Sequence, residues 1–245
     1  MYKYFPHTEA DISEMLGKIG LSSLDELYAE IPENIRFDKD YDLKKSMSED
    51  EVRNYFRELG KTNKKLIPFA GGGAYDHYAP AVIGQLISRS EYLTAYTPYQ
   101  PEISQGTLQY IFEFQSMICE LTGMECCNAS MYDGATAAAE AMLMSIAHAK
   151  KRNKVIVSRT LNPRVIEVVE TYARFQGANM EMIPEKEGVT DKAVMEKLLE
   201  ADDVAGVIAS TPNRYGIIED FSGFADNAHA HKALFIVYAD PSAMA

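Results

Sequence analysis

Four short apolar runs in the second half of the chain limit its possible folds more than any other feature. They are VIVS at 155–158, MEMI at 180–183, VAGVIA at 204–209 and ALFIVYA at 233–239, and helical segments open between them near Pro163, Asp191 and Phe221. Runs of this length suit buried strands. Strands alternating with helices predict a mainly parallel sheet held between helices, the α/β class. After the last run only residues 241–245 follow Asp240. No terminal helix is left to cover that strand's end, so the chain reads as cut off. No solenoid repeat or low-complexity segment is present.

The N-terminal part has a different texture. Ile12, Met15, Leu16 and Ile19 form a helical stripe that Thr8 can cap. A second helix is predicted over 22–30, with Ser22 and Ser23 as caps and Pro32 as its stop. A third is predicted over 48–59, where Ser48 and Glu51 have capping-box spacing and Gly60 follows. Residues 1–65 therefore read as a helical arm and 66–245 as a large domain. The large domain opens with Gly-, Pro- and Tyr-rich loops and a short helix over 79–87. A further helix begins at Gly106, with Leu108, Ile111, Phe112, Ile118 and Cys119 as its buried stripe.

Composition excludes several functions. A formal net charge of -12 with no long Lys/Arg run argues against nucleic acid and anionic lipid. No apolar run approaches the roughly 20 residues of a membrane span, and the acidic start does not resemble a signal peptide, so the expectation is a cytoplasmic protein. Cys119, Cys126 and Cys127 make a poor disulfide framework, and no CxxC or histidine partner supplies a zinc site. No metal is expected. No Walker loop, GxGxxG or GxSxG motif is present.

Two turns can carry chemistry. In YDGATAAAEA, Gly134 and Thr136 stand where a loop becomes an Ala-rich helix. Free N–H groups and a hydroxyl there can hold a phosphate, and a plain helix start explains the same residues. Asp240 sits at the C-terminal end of a strand, the edge of an open α/β sheet where ligands collect. The turn after the third run can bring Asn213 to the same crevice, or be a turn only. His77 beside Gly71, Gly72 and Gly73 is a further candidate, because glycine loops allow close approach of a ligand.

In order along the chain, FPHTEADISEML, IGLSSLDELYAEIP, the triple-glycine loop, LTAYTPYQPEISQGTLQ, YDGATAAAEAMLM, TPNRYGIIEDFSGFA and VYADP resemble the glycine-decarboxylating P-protein family of the glycine cleavage system. The opening PHTEADI is similar to the separate alpha subunit of its two-subunit bacterial form. The resemblance implies the large domain of fold-type-I pyridoxal-phosphate (PLP) transferases with an N-terminal helical arm. It implies a PLP-dependent oxidoreductase that decarboxylates glycine and passes the aminomethyl group to a lipoyl carrier protein. It further implies an α2β2 assembly whose cofactor is held by the beta subunit, this chain being inactive alone.

By the same resemblance, Gly134, Ala135 and Thr136 match the phosphate loop, Asp240 matches the aspartate that holds the PLP pyridine nitrogen protonated, and Tyr96, Tyr99, Gln100, Glu102 and Gln105 match a loop at the substrate entrance or subunit interface. Asn162–Pro163 replaces the His–Pro of many relatives. Fold-type-I enzymes place their Schiff-base lysine after the strand-end aspartate, and none follows Asp240. Lys150, Lys151 and Lys154 cluster at a helix end, so no catalytic residue is expected in this chain. Two other readings stay open: a self-sufficient PLP aminotransferase or decarboxylase, and a non-catalytic interaction module of the same fold.

Overall fold

Val155 and Val157 point to one side of a strand and Ile156 to the other, all three fully buried. That alternation sets the layering of the large unit. A computed structural model describes residues 4, 6–37, 39–67, 69 and 77–244. The chain divides into two units, Met1–Ile67 and Pro68–Ala245.

In the large unit, β1 (Lys154–Ser158), β2 (Asn179–Ile183), β5 (Val204–Thr211) and β6 (Leu234–Ala239) form one sheet in the order β2-β1-β5-β6 with every pairing parallel. A hairpin of β3 (Glu185–Lys186) and β4 (Val189–Thr190) follows β2. From β1 the chain steps outward to β2 and then crosses back to β5, so the winding reverses between β1 and β5. Open parallel sheets bind ligands beyond the carboxyl ends of their strands at such a reversal.

Helices cover both faces. α6 (Gly134–Ala149) and α7 (Pro163–Gln176) bury Ala138, Ala139, Met142, Val165, Val169 and Ala173 against Val155, Val157 and Ile208. On the other face, α8 (Lys192–Leu199) and α9 (Phe224–Ala230) bury Met195, Leu199, Phe224 and Ala228 against Ile156, Val204 and Val207. Full burial of each Val, Leu, Ile or Met side chain contributes about 1.5–3 kcal/mol. Gly206 is required by a close approach: a Cβ there would lie 2.6 Å from the Ser145 hydroxyl of α6.

The expected strands are present within two residues of their predicted bounds, and the last helix starts at Phe224 rather than near Phe221 because Gly223 forms its cap. Upstream, α3 (Val82–Ile87), α4 (Ser90–Leu93) and α5 (Gln105–Thr122) precede the sheet. α5 departs from expectation. Its apolar stripe is only half-buried, and Phe112, assigned to that stripe, is 68% exposed.

In the N-terminal unit, α1 (Glu9–Ile19) and α2 (Glu49–Gly60) each begin with a full capping box, Thr8 with Asp11 and Ser48 with Glu51. The helix predicted over 22–30 is instead a 3₁₀ turn at Leu24–Tyr28, followed by another at Glu33–Ile35. The Glu26 carboxylate accepts hydrogen bonds from the Ser22 N–H and hydroxyl, fixing a tight turn, and the Ser23 side chain makes no cap bond.

Candidate functional site in the crevice at the strand ends

The crevice lies where β1, β5 and β6 end, near the start of α6. α6 begins where it does because Asp133 is extended and its carboxylate accepts the Thr136 N–H at 2.8 Å, while the Thr136 hydroxyl accepts the Asp133 N–H at 3.0 Å. This capping box satisfies donors that a helix start otherwise offers to a ligand. The Thr136 N–H, then the Thr136 hydroxyl, hold the Asp133 carboxyl below the usual carboxylate range. On the sheet side Gly134 faces Tyr238 of β6. A Cβ on Gly134 would stand 2.7 Å from the phenol oxygen. Burial, then the Asp133 charge, push the Tyr238 phenol up.

Asp240 follows β6 and starts a short 3₁₀ turn, Pro241–Ala243. One of its carboxylate oxygens accepts the Ser242 N–H at 2.9 Å and the Ser242 hydroxyl, and the other lies 3.9 Å from Nε2 of His77. The Ser242 hydroxyl, then its N–H, and lastly the His77 charge lower the Asp240 carboxyl. His77 and Asp240 thus share the rim of the crevice. Gly71, Gly72 and Gly73 lie outside the described residues.

Asn213 takes the second of its two sequence readings, that of a turn residue. It is buried, and its Nδ2 donates to the Gly188 carbonyl and to Glu219, each at 2.8 Å. Its Oδ1 accepts the N–H groups of Tyr215 and Ile217. A carboxamide has two donors and two good acceptor positions. All are filled, so Asn213 has nothing left for a ligand and instead braces the loop after β5. The other oxygen of Glu219 accepts the Thr190 N–H at 2.8 Å, and the hydroxyls of Ser158, Thr160 and Thr190 bond to one another below that loop. Among the described residues the Thr211 hydroxyl, at the end of β5, is buried without a partner.

The other sequence candidates gather at the start of α5. The Tyr96 and Tyr99 rings lie 6.3 Å apart and both are largely exposed. The Gln100 carbonyl accepts the Ser104 N–H, and Gln105 Nε2 donates to the Glu102 carbonyl. Among the described residues no hydrogen bond joins these side chains to Gly134, Thr136, Asn213 or Asp240. Asn162, in place of a histidine, caps α7 by accepting the Arg164 N–H at 3.0 Å.

The lysines considered for Schiff-base chemistry stand at the opposite edge. Lys150 caps the C-terminus of α6, and Lys154 opens β1 and pairs with Glu181 at 2.7 Å. The hydrogen bond to Glu181 raises the Lys154 ammonium further. That makes it a cation rather than a nucleophile. Among the described residues, no group of His, Cys, Asp and Glu side chains could hold a metal ion, and no helix is long and apolar enough to cross a membrane.

The fold is that of the large domain of fold-type-I PLP-dependent enzymes. Two low-identity likenesses show the fold alone: mouse CSAD, with a TM-score of 0.57 at 16% identity over 88% of this chain and 48% of that one, and Oryza sativa TDC, solved with PLP, at 0.53 and 13% over 96% and 58%. A crystal structure of glycine decarboxylase (P-protein) of the glycine cleavage system in inhibitor-bound form is much nearer. It has a TM-score of 0.80 and 40% identity over 99% of this chain and 54% of that one. The "Probable glycine dehydrogenase (decarboxylating) subunit 1" of Anoxybacillus flavithermus is 49% identical over 100% of this chain and 55% of its own, and the Bacillus subtilis protein of that name 47% identical over 99% and 54%. The family "Glycine cleavage system P-protein" matches residues 2–245, and the chain belongs to it. It spans about half the length of the relatives it matches.

Neither Asp133 nor Tyr238 stood out in the sequence as crevice residues. Asp133 left a local signal, since Asp three residues before Thr is cap spacing. Tyr238 left none: its approach to Gly134 exists only once β6 is in the sheet beneath α6. A phosphopyridoxyl group fits poorly here. The helix start is already capped by a carboxylate, Asn213 is saturated, one oxygen of Asp240 is engaged by Ser242, and one free hydroxyl at Thr211 does not replace them.

Proposed function

We propose that this chain serves as the subunit-1 part of a glycine decarboxylase of the glycine cleavage system. In that assembly glycine is decarboxylated with PLP and its aminomethyl group passes to a lipoyl carrier protein. The observation that carries the reading is the match over residues 2–245 together with 49% identity to a relative named as subunit 1. The cofactor and its lysine belong to the beta subunit, in an α2β2 assembly in the cytoplasm. This chain supplies the second half of the framework and, with Tyr96, Tyr99, Gln100, Glu102 and Gln105, a wall of the substrate entrance or the interface.

Two features support that division of labour. Lys150 and Lys154 lie at the wrong edge of the sheet for a strand-end crevice. The Tyr96 and Tyr99 rings are displayed outward, as contacts with a second chain require. The test is exchange of labelled bicarbonate into the carboxyl group of glycine, by this chain and the beta subunit together with PLP and the lipoyl carrier. Exchange should need both chains. Exchange by the beta subunit alone at an undiminished rate would overturn the reading, and exchange by this chain alone would favour a self-sufficient enzyme.

A further inference from the structure

We infer that Asp133 is a built-in substitute for a ligand anion, and that its carboxylate keeps phosphate-bearing cofactors out of this chain's own crevice. The inference deepens the reading in which the partner subunit holds the cofactor.

The start of a helix attracts an anion through its free N–H groups and the positive end of its dipole. At α6 the Thr136 N–H is met from within. The Thr136 N–H points at Asp133 at 2.8 Å, and the Thr136 hydroxyl is engaged by the Asp133 N–H at 3.0 Å. An incoming phosphate would find the Thr136 N–H taken and a negative charge beside the place it must occupy. Like charges at a few ångströms repel, more strongly where protein replaces part of the water.

The surroundings do not relieve this. The shallow depression beside the helix start is lined by Ser130, Met131, Tyr132, Thr136, Glu140 and Tyr172, which add a second carboxylate and no Lys or Arg. On the other side Tyr238 fills the space over Gly134, so the glycine accommodates the chain's own phenol rather than a ligand. Asn213 and Asp240, at neighbouring strand ends, are bonded internally. Of these groups Asp133 alone is both anionic and bonded to a helix-start N–H, so its substitution is the one that frees that donor.

The full chain is titrated with inorganic phosphate and, separately, with PLP, following the amide signals of Gly134, Ala135 and Thr136 by NMR. The wild-type amides should stay unmoved to millimolar phosphate. In Asp133→Gly, where glycine is a tolerated cap, the same amides should shift, with affinity higher by about tenfold, as expected for removing a like charge at a helix N-terminus. Asp133→Ser, which keeps a capping hydroxyl, guards against a folding failure and should show the same gain. Tyr238→Phe, which leaves the carboxylate in place, should show none.

Phosphate-dependent shifts of these amides in the wild type would overturn the inference. So would folded Asp133→Gly and Asp133→Ser chains that bind no better than wild type. Bicarbonate exchange by the wild-type pair of subunits reads the functional proposal separately, so a failure there leaves the phosphate result standing and the reverse also holds.

Discussion

The sheet and α5 treat their apolar residues in opposite ways. In β1, β5 and the helices over them, Val155, Ile156, Val157, Met142 and Ile208 are fully buried. On α5 no described residue is buried, and Phe112 and Leu121 are 68% and 67% exposed. A set of exposed large apolar side chains marks a surface shaped for another body. The contrast teaches that one part of the large unit is complete in itself. The other leaves an apolar face unburied among the described residues, which the proposed assembly would cover.

Substitutions on either side test this contrast. Met142→Ala, at the centre of the core under α6, should cost about 2–5 kcal/mol in urea unfolding. Gly206→Val should cost about 1–3 kcal/mol, because the added side chain meets Ser145. A loss below 1 kcal/mol in both would mean that the sheet is not the rigid half. Ser48→Ala in the N-terminal unit should lower the stability of α2 by about 1 kcal/mol through loss of its cap. Phe112→Ser on α5 should change the stability of the chain alone by less than about 0.5 kcal/mol while weakening capture of the beta subunit in a pull-down titration. Undiminished capture would mean that α5 is not part of the contact with the beta subunit.

The smallest effect concerns acid. Asp133 and Asp240 have carboxyls held below their ordinary values by Thr136 and Ser242. Their stabilisation is fully present above the unfolded value near 3.9 and is lost as pH falls through the lower folded values. Both groups are exposed, so the effect is modest. Thermal midpoints should be flat across pH 5–7 with respect to these groups. The Asp133→Asn variant should show a shallower decline than wild type below about pH 4.

Much of the sheet was legible because buried parallel strands are short apolar runs between helices. VIVS and VAGVIA needed no long-range information to be recognised. Their order did: nothing local in MEMI says that β2 lies outside β1 and that β5 returns to its other edge. The capping boxes at Thr8 and Ser48 were legible because their partners lie three residues away. The turn at Leu24–Tyr28 was not, since the same serines cap a helix or tie down a 3₁₀ turn depending on what Glu26 reaches. At the crevice, Gly134 and Thr136 were correctly placed at a helix start. Which of its two readings Asn213 takes was not legible, because its donors go to Glu219 six residues on and to Gly188, 25 residues back. Phe112 was misjudged because periodicity reveals a stripe without revealing whether anything lies against it.

The strand order also has a consequence in time. β1 lies between β2 and β5, so its second edge stays unpaired until the chain has been made as far as Thr211. A nascent chain can zip β1 to β2 and lay α7 over them early. The ladder to β5 must then close a long loop that contains the hairpin and α8, a step whose entropy is lost before its contacts form. The backbone of β1 along that edge is consequently open to wrong pairing during synthesis, and slow translation before residue 204 should lengthen that exposure.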